Sequence, residues 1–196
     1  MFRFAAPSIL ALSVTAAAPA AAWTICEINP AAYAATVASQ IEGVWRAENP
    51  QGIMIASHGG DSVALPLPAD APNNVDVLVD GNQIAMASFE EGEEIILDVE
   101  VLPFSNIIDQ VALALGNNET QAELSSLEGC DVAAYPAFMT ELIIEDAGEN
   151  TILTYRSEFR AMNADVMIGG IYGTIISPNG DLEVFRPFTM TRIDPQ

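Results

Sequence analysis

A run of short segments between residues 43 and 192 most constrains the fold of this chain, because apolar residues recur in them at every second position. Val75-Asp76-Val77-Leu78-Val79-Asp80 is the clearest example, and Asp80-Gly81 after it is a strong signal for a two-residue hairpin. A period of two is the pattern of a half-buried β-strand. The chain is therefore predicted to be mainly β, with neighbouring strands joined by tight turns.

Eight to ten strands are predicted in this train. Asn49-Pro50-Gln51-Gly52 is interpreted as the turn that folds the first strand back on the second. An open sheet of this size has exposed edges, and few helices are available to cover them, so closure into an antiparallel up-and-down barrel is expected. The predicted strands are 43–48, 52–57, a short one at 63–65, 75–80, 83–89, 93–102, 140–146, 150–159, 165–176 and 181–192.

Two helices are predicted beside the strands. Asn29-Pro30 is a typical helix opening, residues 31–42 carry apolar side chains at spacings of four, and Gly43 supplies a stop. A second helix is predicted at 104–115, where Phe104, Ile107, Ile108, Val111 and Leu115 recur at helical spacing. The first helix is expected to close one end of the strand assembly.

Residues 1–22 have the pattern of a secretory signal peptide: a positive start, an apolar middle and an Ala-x-Ala exit that ends at Ala22. Residues 23–196 are then a single domain, exported to the periplasm or the cell exterior. Cys26 and Cys130 remain after cleavage, and they are expected to form a disulfide, since exported proteins usually pair their cysteines. No later segment is long and apolar enough to span a membrane as a helix.

The chain is strongly acidic, with a formal net charge of −21 that becomes −22 without Arg3. Such a charge repels nucleic acid and anionic membrane surfaces, so neither is expected as a partner. All six basic residues are arginines. An acidic, lysine-free surface suits salty water, where screening weakens the self-repulsion.

Gly43-Val44-Trp45 on the first strand, the helical segment before it, the strand train and an arginine in the last strand together resemble the lipocalin-like (calycin) β-barrels. The resemblance implies that Trp45 packs across the closed end of a barrel, beneath either Arg186 or Arg192. It also implies a cavity for a small apolar molecule. A guanidinium stacks well on an indole ring, which makes the pairing physically sound.

The sequence gives little support for a catalytic site or a metal site. His58 is the single histidine, and although Gly59-Gly60 follows it, the nucleophile motif of a hydrolase is absent. The acidic clusters at residues 90–94 and 145–149 fall at predicted hairpin tips, where they are expected to be solvated. No metal or cofactor is predicted, and the protein is expected to be a binding protein more readily than an enzyme.

Two arginines are candidates for a ligand site. Arg156 alternates with Ile152 and Thr154, and Arg186 alternates with Val184 and Phe188. If these faces of the two strands point inward, both guanidiniums lie in a cavity. There they could meet a fatty-acid carboxylate; the alternative is pairing with local acids or stacking on Trp45. The apolar lining of that cavity, or equally a solid core, is predicted to include Val75, Val77, Val79, Ile84, Met86, Ile95, Leu97, Val99, Tyr172 and Phe188.

Three functions remain open from the residues. The first is an exported barrel that binds a small apolar or fatty-acid-like ligand. The second is a structural or partner-binding envelope protein with a solid barrel and no ligand. The third is an enzyme on an α+β cone of the nuclear-transport-factor kind, which requires several helices before its first strand. The sequence does not predict an oligomeric state.

Overall fold

A computed structural model describes residues 23–81, 83–90, 93–116 and 129–193. The proposed signal peptide lies outside these residues. The strands are β1 Gly43–Glu48, β2 Gly52–His58, β3 Asp61–Leu67, β4 Asn73–Asp80, β5 Gln83–Glu90, β6 Glu93–Leu102, β7 Ala137–Asp146, β8 Thr151–Ala161, β9 Val166–Ser177 and β10 Gly180–Arg192. The α-helices are α1 Pro30–Ala38 and α2 Ile107–Ala114.

All ten described strands belong to one antiparallel sheet, with the order β1-β4-β5-β6-β7-β8-β9-β10-β2-β3. An additional pairing of β1 with β10 closes eight of the strands into a barrel. This confirms the predicted mainly β, up-and-down architecture, and a closed eight-stranded barrel is compatible with the calycin-like fold. The α+β cone is not observed.

The predicted turn at Asn49-Pro50-Gln51-Gly52 is wrong. β1 and β2 run in the same direction along β10, with Glu48 opposite Thr189 and Ile53 opposite Phe185. β1 and β2 are therefore two parts of one long strand, and the register of this strand against β10 shifts by one residue at residues 49–51. We call this shift the slip. The chain reverses at the end of β2 instead, through Gly59 and Gly60, whose φ angles of 61° and 94° favour glycine. The β2–β3 hairpin prolongs the barrel wall at one end.

The helix α1 lies at the opposite end of the barrel, beside the start of β1. The side chain of Asn29 accepts a hydrogen bond from the backbone N–H of Ala31, as expected of a capping residue before proline. Tyr33 and Val37 of this helix are fully buried. The Cys26–Cys130 disulfide joins the segment before the helix to the connection between α2 and β7. This end of the barrel is therefore closed.

The helix α2 packs on the outside of the barrel, against β9 and β10. Ile107 and Val111 lie over Gly170, where an added Cβ would come within 3.0 Å of a Val111 methyl group. Glycine at this position lets the helix approach the strand closely. The helix begins three residues later than predicted, and Phe104 before it is exposed. No described helix is long and apolar enough to cross a membrane.

Candidate functional site: a cavity in the open half of the barrel

A cavity of about 390 Å³ occupies the barrel on the side away from α1. Its walls come from β1 and β4–β10, so the inner faces of the sheet define it. Most of the side chains that line it are apolar. The lining consists of Ala47, Asn49, Asn73, Val75, Met86, Ala87, Ser88, Ile95, Leu97, Thr140, Leu142, Ile144, Leu153, Tyr155, Ser157, Ile171, Phe188 and Met190.

The other half of the barrel is filled. Trp45, Val77, Phe138, Phe159 and Met167 are buried there with at most 1% of their surface exposed. Trp45 lies one inward-facing position below Ala47, which lines the cavity. The barrel thus has a packed lower half and a hollow upper half.

The upper half has a gap in its wall between β6 and β7. These two strands pair through only three residue positions, 100–102 of β6 against 137–139 of β7. Residues 95–99 and 140–144 above them are unpaired with one another, and both segments line the cavity. Ile96 and Ile143, on the outer faces beside this gap, are 56% and 54% exposed. We call this gap the seam.

The cavity has a few polar groups. Thr140 and Ser157 face each other across β7 and β8, and their hydroxyl oxygens are 2.7 Å apart. Asn73 begins β4 on the opposite wall, where it stands opposite Ala47 of β1. The Oδ1 atom of Asn73 is buried and has no hydrogen-bond partner among the described residues. Among the described lining residues, it is the one buried side-chain nitrogen or oxygen atom without a hydrogen-bond partner.

Arg186 lies on the inner face of β10 but is already paired. Its Nη1 contacts the carboxylate of Asp70, and its Nη2 donates to the carbonyl of Pro68 at 2.7 Å. Burial lowers the pKa of this guanidinium. Asp70 and Pro68 belong to the 68–72 connection between β3 and β4, so the arginine holds this connection over the barrel interior. Arg186 is not among the residues that line the cavity.

The other two polar candidates point away from the cavity. Arg156 lies on the outer face of β8 and pairs with Glu158 at 2.5 Å. Tyr172 lies on the outer face of β9, where its hydroxyl donates to Glu183 and its ring contacts Phe185. The inward orientation on which both predictions depended is therefore not found. Met86 and Phe188, in contrast, lie in the cavity wall.

Several cavity residues were not singled out in the sequence. Thr140 and Ser157 sit at inward positions of strands that otherwise bury apolar side chains, and this is a usable signal for a polar site. Asn73 carried no such signal, because it follows Pro72 at the start of a strand, where asparagine is common.

Arg192 closes the barrel below the packed half. Its guanidinium carbon lies 4.3 Å from the centre of the Trp45 ring, and Trp45 donates to the carbonyl of Ile41 at 2.9 Å. Of the two arginines named for this position, Arg192 occupies it. The residues around it are structural and do not reach the cavity.

No protein-family model and no curated protein matches this chain. Among the described residues, no group of three or more histidine, cysteine, aspartate or glutamate side chains is placed to hold a metal. His58 lies at the tip of the β2–β3 hairpin, where its neighbours Gly59 and Gly60 form the turn.

Proposed function

We propose that this protein is an exported binding protein that holds a small apolar or amphipathic molecule inside its barrel. The observation that supports this proposal is the cavity of about 390 Å³ above a fully packed lower half. Ligand sites in proteins typically enclose roughly 300–1,000 Å³ and are mostly apolar with a few polar groups. This cavity has that size and composition.

Binding would gain its free energy from burial of the ligand's apolar surface against Leu142, Phe188 and the other lining side chains. The ligand would enter at the open end or through the seam, since no ladder of hydrogen bonds closes the wall there. Unlike the fatty-acid interpretation of the sequence, this mechanism does not use Arg156 or Arg186.

Export is part of the same proposal. The signal-like pattern of residues 1–22 and the Cys26–Cys130 disulfide support it, because disulfides persist in oxidising compartments. The periplasm and the cell exterior fit equally well. Native mass spectrometry of the protein purified from the exporting cells would give both the mature N-terminus and any bound molecule.

A matched pair of variants tests the cavity. Leu142 and Glu141 are neighbours on β7, with Leu142 in the cavity wall and Glu141 exposed on the outer face. Leu142→Trp should fill the cavity and weaken binding of the neutral fluorophore N-phenyl-1-naphthylamine by about tenfold or more. Glu141→Trp adds the same ring outside and should leave binding unchanged. Fluorescence titration of the two variants and the wild-type protein measures this difference.

Equal binding of the fluorophore by both variants would show that the ligand site lies outside the barrel. The absence of any binding by the wild-type protein, together with a mass that shows no co-purified molecule, would overturn the proposal.

The second candidate function, binding of a protein partner, has one observation in its favour. Ile143, Ile152 and Ile176 lie on the outer faces of β7, β8 and β9 and are 54%, 40% and 52% exposed, and Ile152 stands directly opposite Ile176. Exposed apolar side chains on neighbouring strands are a feature of interaction surfaces. A wild-type protein that binds no apolar probe would favour this function.

A further inference from the structure

We propose that the seam is a docking site for an extended segment of a partner protein, which pairs with the edge of β7 and carries apolar and basic side chains in alternation. The inference goes beyond the proposed function, because it concerns a polypeptide and a site in the barrel wall. It follows from the backbone, the inner faces and the outer faces of the two strands beside the seam.

The backbone of β7 is paired on one side only beyond Met139. Residues 140–146 pair with β8 along their whole length, whereas their other edge faces β6 without pairing. Residues 95–99 of β6 likewise pair with β5 alone. Among the described residues, no backbone–backbone hydrogen bond outside the sheet ladders ends on either segment. An extended chain laid along such an edge gains a ladder of main-chain hydrogen bonds.

The edge of β7 lacks the features that usually protect an exposed edge from pairing. Proteins place proline, lysine or an inward-pointing charge on such strands. The strand β3, at the end of the sheet order, follows this rule with Pro66. Residues 140–144, Thr-Glu-Leu-Ile-Ile, have no proline, no lysine and no charge on the inner face. This edge is therefore open to a strand from another chain.

The inner faces beside the seam are apolar. Ile95 and Leu97 of β6 line the cavity on one side. Leu142 and Ile144 of β7 line it on the other. Ile144 is nevertheless 51% exposed, since no described strand pairs with it on the side of β6. A docked segment with an apolar residue at every second position would cover Ile144 and bury those residues over the cavity.

The outer faces beside the seam are acidic. Glu141 and Glu145 of β7 are exposed, as is Asp98 of β6. Arg156, opposite Glu141 on β8, already pairs with Glu158. Opposite charges on neighbouring strands attract and like charges repel, so basic outward side chains complement this surface. A second copy of the chain would instead bring its own glutamates and a net charge of −21 to the seam.

Fluorescein-labelled heptapeptides test the inference on the disulfide-bonded protein in about 0.15 M NaCl, which screens charges beyond about 8 Å. The probe is amidated Lys-Val-Lys-Val-Lys-Val-Lys. One comparator, Lys-Lys-Val-Val-Val-Lys-Lys, loses the alternation, and another loses its donors because every backbone amide is N-methylated. A third has glutamate in place of lysine. We expect the probe to bind at least about tenfold more tightly than each comparator in fluorescence anisotropy titrations.

Ile144→Asp and Leu78→Asp form a matched pair of variants. The two side chains are 51% and 47% exposed, and both substitutions add one negative charge. Ile144→Asp puts that charge on the inner face of the β7 edge, where it should weaken binding of the probe about tenfold or more. Leu78 lies on the outer face of β4, away from the seam, so Leu78→Asp should leave binding unchanged.

Hydrogen exchange of the wild-type protein locates the bound probe and does not depend on the folding of a variant. Saturation with the probe should slow exchange in peptides that cover 140–146 by about fivefold or more and leave those that cover 168–175 unchanged.

Four results would overturn the inference. Equal binding of the probe and the two basic comparators would mean that charge attraction alone holds the peptide. Equal binding of the glutamate peptide would exclude a basic partner. Protection outside 140–146, or equal losses in the two variants, would place the site elsewhere. Slow exchange of 140–146 before the probe is added would mean that this chain, or a second copy where light scattering shows a dimer, already covers the edge.

Discussion

Arg192 connects three segments that meet at the closed end of the barrel. Its Nε donates to the carbonyl of Ala164 at 2.8 Å, and its two Nη atoms donate to the carbonyls of Glu42 and Gln40, both at 2.6 Å. The guanidinium also lies on the Trp45 ring. Only a planar side chain with several donors in fixed directions can make all of these contacts at once.

Arg192→Lys should therefore destabilise the protein although the charge is kept. A lysine ammonium cannot reach the three carbonyls and stack on the indole, and each lost hydrogen bond to a charged group contributes about 1.5–3 kcal/mol. We expect the free energy of unfolding to fall by about 2–4 kcal/mol in urea titrations. Arg46→Lys on β1, where Arg46 is 54% exposed, is the control and should change it by less than about 0.5 kcal/mol. Similar losses in both variants would contradict the role assigned to Arg192.

Arginine positions were only partly predictable from the sequence. Alternation makes Arg186 an inward candidate, and the resemblance to lipocalin-like barrels names Arg186 or Arg192 as the partner of Trp45; both arginines lie on the inner face of β10. For Arg156 the sequence leaves open an inward position or pairing with a local acid on the outside, and the structure has it on the outer face with Ile152, which is 40% exposed. Apolar residues occupy both faces here, as in Ile152-Leu153, so alternation could not fix which face points inward.

Glu158 is an acidic residue buried on the outer face of the barrel near α2. It is 3% exposed, accepts a hydrogen bond from Ser105 and pairs with Arg156. Burial raises the pKa of Glu158 above its ordinary value of 4.5, and the charges of Arg156 and Arg160 offset part of this effect.

A raised pKa in the folded state makes the contribution of Glu158 to stability fall as the pH rises from 4.5 through the folded-state pKa. Glu158→Gln cannot titrate and keeps the shape of the protonated acid. The difference in unfolding free energy, variant minus wild type, should therefore increase across this pH window in urea titrations. A difference that decreases with pH would show that the ion pair with Arg156 outweighs the cost of burial.

The slip between β1 and β2 has sequence features that also predict a turn. Asn49-Pro50-Gln51-Gly52 has the composition of a tight turn, and proline also interrupts a strand ladder because it lacks an N–H. The turn-like composition and the missing proline N–H are therefore compatible with a slip as well as with a turn. The pairing of β1 and β2 with the same strand, β10, decides between them, and a partner so distant in the chain leaves no local signal.

The seam should be visible in hydrogen exchange. About half of the amides in residues 140–144 of β7 face β6 without a partner in it, whereas β9 pairs on both sides. Exchange reports local opening and hydrogen bonding of each amide. We expect peptides that cover 140–146 to exchange at least about tenfold faster than peptides that cover 168–175, as measured by mass spectrometry. Comparable protection of the two strands would mean that another segment covers the seam.

At the scale of the whole molecule, the division into a packed half and a hollow half explains how much of the site was predictable. Alternation predicts an inner face for Val75, Met86, Ile95, Leu97 and Phe188, as cavity lining or as solid core, and these residues lie in the cavity wall. Val77 and Ile84 carry the same pattern but lie in the packed half. The pattern records burial and not the presence of empty space, so the sequence could not separate a cavity from a solid core.

The net charge of −21 applies to the whole molecule and leads to a prediction about salt. Folding brings the acidic side chains together, and their repulsion weakens as the screening length shrinks from about 10 Å at 0.1 M salt to about 3 Å at 1 M. Raising NaCl from 0.1 to 1 M should increase the melting temperature by about 5 °C, since about 1 kcal/mol corresponds to 2–4 °C for a domain of this size. Removing three exposed charges, with Asp98→Asn, Glu100→Gln and Glu141→Gln together, should raise the melting temperature at low salt and reduce the salt response in calorimetry. An identical response in the wild-type protein and this triple variant would mean that salt acts on hydrophobic burial rather than on charge repulsion.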